Sequence, residues 1–207
     1  MVKRIAVELG RHAPFTAFGA ASGIIIMAII VLASAPSGVS ETIFYTLHPV
    51  HVVLSALVTT ALYKRYGGGK LWAAILIGYT GSVGIATLSD SIIPYLGGAL
   101  LSIKMGFHVG FIEKWWLVNP LAFLGIAIGY LRPTTKFPHA GHVLLSTWAS
   151  LFYFTAFGIA KWIPLLPFIF LFLFLAVWIP CCVSDIVYPL LFLRVDKHEA
   201  NEIEPEL

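Results

Sequence analysis

The chain of 207 residues is 59% hydrophobic and only 11% charged, with a mean hydropathy of +0.90, more apolar side chain than a water-soluble core can hide. A formal net charge of +3 is too small to indicate a nucleic-acid partner, and Lys and Arg sit in short polar loops, where membrane topology accounts for them. The two cysteines, Cys181 and Cys182, are adjacent within an apolar run, which argues against a disulfide framework.

Taken in chain order, the apolar segments run from Pro14 to Leu32, Ile43 to Tyr63, Leu71 to Ile103, Trp115 to Leu131, His142 to Ala160 and Trp162 to Leu193. Lys3, Arg4 and Arg11 ahead of the first segment, and Ala33-Ser34-Ala35 after it, imitate a signal peptide. The stretch from Phe15 to Leu32 is too long for such a core and is expected to be an uncleaved first span. Each segment has a length suited to a helix crossing about 30 Å of hydrocarbon. No alternating pattern of barrel strands is present, so the expected fold class is all-α, a polytopic helical membrane protein in the cell membrane. The third and sixth segments are longer than one crossing needs and carry an Asp and a Pro, so they are expected to be long or broken helices. Placing both termini in the cytoplasm puts ten of the thirteen Lys and Arg inside and leaves Lys104, Lys114 and Lys161 outside. Counting each long segment as two short spans places eleven inside and two outside, so charge leaves six and eight spans both open. The polar stretch 195–207 reads as a cytoplasmic tail.

Self-similarity organises the chain further. His48-Pro49-Val50-His51 and Ser55 match His139-Ala140-Gly141-His142 and Ser146, and Ser89-Asp90 with Pro94 match Ser184-Asp185 with Pro189. A weaker match pairs Pro14 and Gly19 with Pro120 and Gly125. A single membrane domain, 1–207, is therefore expected to hold two three-helix repeats, about 12–103 and 112–194. With three spans each the repeats are inverted, and their motifs lie toward opposite membrane faces. Four spans each would make them parallel and gather the motifs into one shared site.

Histidines three apart on a helix share a face and can converge on one ion. His48, His51 and Asp90 form the first expected metal site, and His139, His142 and Asp185 the second. The mixed nitrogen and oxygen donors suit Zn, Mn, Fe or Co. Ser55, Ser146, Ser89 and Ser184 are expected to hydrogen-bond the ligands. Pro94 and Pro189, lacking a backbone N–H, are expected to break their helices beside the carboxylates. An ionisable group inside the bilayer is costly enough that function is its default reading, although Asp90 and Asp185 could also serve as hydrogen-bonding glue between helices. Glu8, His12, His108 and Glu113 lie near segment ends and read as interfacial. The cysteines read as packing, Gly67-Gly68-Gly69 as a loop, and Trp115, Trp116, Trp148, Trp162 and Trp178 as an interfacial belt or bundle packing.

The stretch from Ser55-Ala56 through Leu62-Tyr63 to Thr87-Leu88-Ser89-Asp90-Ser91-Ile92-Ile93-Pro94 resembles a segment of the heavy-metal exporters sometimes labelled manganese transporters, over about a quarter of the chain. The present chain is shorter than those proteins, and it has His48 and His51 where their stretch is cysteine-bearing. The resemblance implies that Ser89, Asp90 and Pro94 lie on a broken helix along an ion path.

The function these features predict is transport of a divalent transition metal through two repeat-related His, His, Asp sites. The alternatives are an intramembrane metal-dependent hydrolase acting on a lipid or isoprenoid substrate, and a scaffold whose polar residues only join helices. Expected partners are the metal ion and the lipid bilayer, with a homo-oligomer left open.

Overall fold

The computed structural model describes residues 2–66, 69–133 and 136–182, with Tyr188 and Phe192 beyond them, and omits the side chains of 2–8, 11, 12, 136–140 and 182. The protein is all-α. In order come α1 (Val2–Leu32), α2 (Ser37–Arg65), α3 (Leu71–Thr87), a π turn (Leu88–Ile92) and α4 (Ile93–Leu100). Then follow β1 (Lys104–Met105), α5 (Gly110–Glu113), α6 (Trp115–Leu131), α7 (Lys136–Phe157), β2 (Gly158–Ile159), a 3-10 turn (Ile163–Leu165) and α8 (Leu166–Cys182). The two-residue strands pair antiparallel, Lys104 opposite Ile159 and Met105 opposite Gly158.

Among the described residues, four stretches are long and apolar enough to cross a membrane: Ala13–Leu32, Ser37–Arg65, Leu71–Leu100 and Ile163–Cys181. Trp115–Leu131 is a shorter apolar helix. The distribution of polarity fits lipid as solvent. Phe18, Leu32, Trp72, Leu100 and Leu131 stand exposed, while Thr16, Ser40, Ser55, Thr59, Ser82, Ser146, Thr147 and Ser150 are buried. Hydroxyls between helices and apolar side chains outside reverse the soluble pattern, as expected where helices gain nothing by hiding Leu from lipid.

The helix α2 is central and packs on α3, α6 and α7, while α1 lies against α7 and α8. The helices α2 and α7 run antiparallel, because their contacts advance in opposite directions: Phe44 meets Tyr153 with ring centroids 5.5 Å apart, His51 meets His142 at 5.8 Å, and Leu54 reaches Gly141. Glycine allows the outer helices to approach closely. A Cβ on Gly19 of α1 would stand 3.2 Å from Thr147 Cβ and 3.4 Å from Leu144, and one on Gly125 of α6 would stand 2.9 Å from Ala56 Cβ and 3.1 Å from the Val53 carbonyl carbon.

The third apolar segment is continuous from Leu71 to Leu100, so Pro94 does not break it. The helix widens instead. The Ile93 N–H reaches the Leu88 carbonyl, five residues back, and Pro94 has no N–H to offer the next carbonyl. Ser89 O is thereby released, and Ser150 Oγ of α7 lies 2.9 Å from it. The sixth segment begins with the 3-10 turn rather than at Trp162 as a helix, since Pro164 and Pro167 interrupt its first turn. Ser184, Asp185 and Pro189, and the polar tail 195–207, lie outside the described residues.

Candidate metal centre

The π turn carries Asp90 toward α2. A π turn spreads the residues of one helical turn and lengthens the reach of a side chain within it, which is why such bulges recur at functional positions. His48 and His51 lie one turn apart on the facing side of α2. Their Nδ1 atoms are 2.9 Å and 2.7 Å from the same oxygen, Asp90 Oδ2. All three residues are 0% exposed.

The other carboxylate oxygen is held by hydroxyls. Ser89 Oγ donates to Asp90 Oδ1 at 2.7 Å, and Ser146 Oγ of α7 donates to it at 2.8 Å. Ser146 also lies 3.2 Å from Ser89 Oγ, and Ser150 Oγ is 2.7 Å from the Ser146 carbonyl. Beyond the imidazoles, Phe44 stacks on His48 with centroids 5.4 Å apart and 13° between planes. His142 stacks on His51 at 5.8 Å and 8°.

A carboxylate oxygen only accepts, so the geometry places a proton on each Nδ1, and in the neutral form of each ring Nε2 is then a bare lone pair. Neither His48 Nε2 nor His51 Nε2 has a hydrogen-bond partner among the described residues. Two lone pairs in a dry interior would be costly if they were only structural. One ligand atom from each of His48, His51 and Asp90 lies within 4.8 Å of the others, so the three could hold an ion. Ligands at about 2.1 Å around a tetrahedral ion are roughly 3.4 Å apart. The present 2.7 Å and 2.9 Å spacings therefore need only a small opening. The donor set, two imidazoles and a carboxylate, fits Zn, Mn, Fe or Co, and an ion binding through Nδ1 would require the protons that now face Asp90 to move to the Nε2 atoms.

The structure brings His48, His51, Asp90, Ser89 and Ser146 into one cluster with His142 beside it. It therefore joins two residues expected at the second site to the first: antiparallel packing of α2 on α7 sets His142 against His51 and, one turn on, Ser146 against Asp90. Ser55 is buried on α2, the side chain of His139 lies outside the described residues, and so does Asp185. Cys181 packs with Val143 and Val177. Trp178 Nε1 donates to Leu9 O at 2.8 Å, and Trp148 Nε1 to Ser22 Oγ at 3.2 Å, so these two join helices, whereas Trp115 and Trp116 are exposed.

Sequence reasoning missed Ser150 and a polar group near the start of α2. Tyr45 donates to Glu113, and His108 Nδ1 lies 3.1 Å from both Glu113 oxygens. His108 and Glu113 are close enough in sequence to have been paired, but nothing in the sequence joins Tyr45 to them. Glu113 is partly desolvated, which raises its pKa, yet the Tyr45 and His108 hydrogen bonds outweigh this and hold it below the usual carboxylate range.

No family model, curated protein or solved structure matches the chain. What fold and site define is an all-α protein with, among the described residues, four stretches long and apolar enough to cross a membrane and a buried His, His, Asp group that could hold a metal ion.

Proposed function

We propose that the protein transports a divalent transition metal ion across a membrane, with His48, His51 and Asp90 as a binding position inside the bilayer. The observation that carries this reading is the sharing of Asp90 Oδ2 by two imidazoles whose Nε2 atoms are buried and unpartnered. Full burial favours passage of an ion over hydrolysis, because a lipid substrate would need an open coordination position and a way in.

Transport between two sides also needs a structure that can present the site to each, and an inverted duplication supplies one. Several contacts support it. Gly19 meets Leu144 and Thr147 as Gly125 meets Val53 and Ala56, and these partners stand two and five residues after His142 and His51 in the respective halves. Four residues on, Gly23 meets Trp148 and Gly129 meets Leu57, each six residues after the same histidine. The antiparallel pair α2 and α7, with His51 stacked on His142, then lies about a pseudo-two-fold axis in the membrane plane. In this arrangement the chain has six spans with both termini in the cytoplasm, and 101–114 faces outward.

The test is elemental analysis of the purified full chain after dialysis against Zn, Mn, Fe or Co, followed by uptake into liposomes. Wild type is expected to retain an ion that Asp90→Asn loses, with uptake lost in parallel. Wild type without bound or titratable metal, or retention of the ion by Asp90→Asn, would remove the basis for the proposal.

A further inference from the structure

Residues 101–114, between α4 and α6, cover the His48 side of the cluster and are tied to helices on both flanks. The Gly106 N–H donates to Phe157 O at 2.9 Å, and the His108 N–H donates to Tyr153 OH at 2.8 Å, both partners belonging to α7. Glu113 accepts from Tyr45 of α2, and its Oε1 accepts the Val109 N–H at 3.3 Å. Phe111 packs with the buried Val52, Val83, Ala86 and Val118.

At the centre of this cover, Gly110 rests on the buried site. A Cβ at this position would stand 2.6 Å from His48 Cδ2 and 2.7 Å from its Nε2, so α5 can close over the ring only with glycine here. The unpartnered His48 Nε2 thus faces the backbone of α5. On the outer side, His108 and Glu113 are each 37% exposed. Their donor types, imidazole and carboxylate, repeat those of the buried cluster.

We propose that residues 106–113 form a gate over the metal centre, held shut by the hydrogen bonds of Glu113 to Tyr45 and His108, and opened by a divalent cation that takes the Glu113 oxygens and His108 Nδ1 as its own ligands. The inference deepens the transport reading and rests on it. The cation and Tyr45 compete for one carboxylate. Once Tyr45 loses its acceptor, the side of α5 tied to α2 is released and Gly110 can lift from His48. An exposed His and Glu make a weak first stop from which an ion can move on to the buried set.

The experiment uses the full chain in liposomes and reads carbethoxylation of His48 by diethylpyrocarbonate, quantified by mass spectrometry. Tyr45→Phe, which unlatches the gate, is expected to be labelled about tenfold faster than wild type, the shift expected from losing one charge-assisted hydrogen bond, and Gly110→Ala, which props it by steric contact with His48, is also expected to be labelled faster than wild type. Wild-type rates in both would overturn the gate. A second arm adds Mn2+ to Asp90→Asn, where the buried site no longer shields His48. Labelling is expected to accelerate there, and to stop responding once Glu113→Gln is added. An unchanged rate on adding Mn2+ would overturn cation opening. Because this arm does not require the buried cluster to bind metal, failure of the gate and failure of the transport reading give different results.

Discussion

Asp90 is saturated: one oxygen takes two imidazoles, and the other takes Ser89 and Ser146. The serines fix the plane of the carboxylate and so the direction in which Oδ2 faces the rings. Ser146 approaches from α7, so its contribution depends on the packing of two helices far apart in sequence. Partners that orient metal ligands are typically worth about 10- to 100-fold in affinity, and a hydrogen bond to a charged group contributes about 1.5–3 kcal/mol. Ser146→Ala is therefore expected to weaken metal binding roughly tenfold, while Ser146→Thr retains most of it, as titration with Co2+ followed by its visible absorption would register. Equal affinities for Ser146→Ala and wild type would show that Asp90 is oriented without α7. Asp90 itself was legible in the sequence, as was its approach to His48 and His51, because a charge in an apolar run demands partners and few were available. The service of Ser146 to Asp90 was not. It follows from the antiparallel crossing of α2 and α7, which the spacing of residues within either helix does not specify.

Among the helices, α6 has the bounds expected for it, Trp115–Leu131, since charged or polar residues end the apolar run on both sides. The widening of the third span was less legible. A Pro within a helix signals disruption, but whether the chain breaks or absorbs the missing N–H depends on what can satisfy the freed carbonyl. Here Ser150 stands 2.9 Å from Ser89 O, and a π turn results instead of a break. Restoring the N–H with Pro94→Ala should favour regular α geometry, because Pro inside a helix costs about 3 kcal/mol. The regular helix would rotate Asp90 away from the His48 and His51 rings. The variant is expected to unfold at higher temperature than wild type and to bind Co2+ more weakly, a separation readable from a thermal melt and a titration on one preparation. A more stable protein with undiminished affinity would show that the π turn does not position the carboxylate.

For the whole molecule, the decisive relation is between α2 and α7. Their opposite directions follow from Phe44 against Tyr153 and His51 against His142, and Tyr45 near the start of α2 is bonded to Glu113 of the 101–114 segment. In the proposed six-span arrangement the start of α2 and this segment share one side of the membrane, and the start of α7 lies on the other. Parallel repeats of four spans would instead put the starts of α2 and α7 on the same side. In a Cys181→Ser, Cys182→Ser background, single cysteines at Glu41, Ile112 and Phe137 distinguish these arrangements. Glu41→Cys and Ile112→Cys are expected to react with an impermeant maleimide in right-side-out vesicles, and Phe137→Cys only in inverted ones. Should Phe137→Cys label from the same side as Glu41→Cys, the two halves are not inverted, and an ion at Asp90 would lack the symmetry-related route to the opposite face that transport by rocking halves requires.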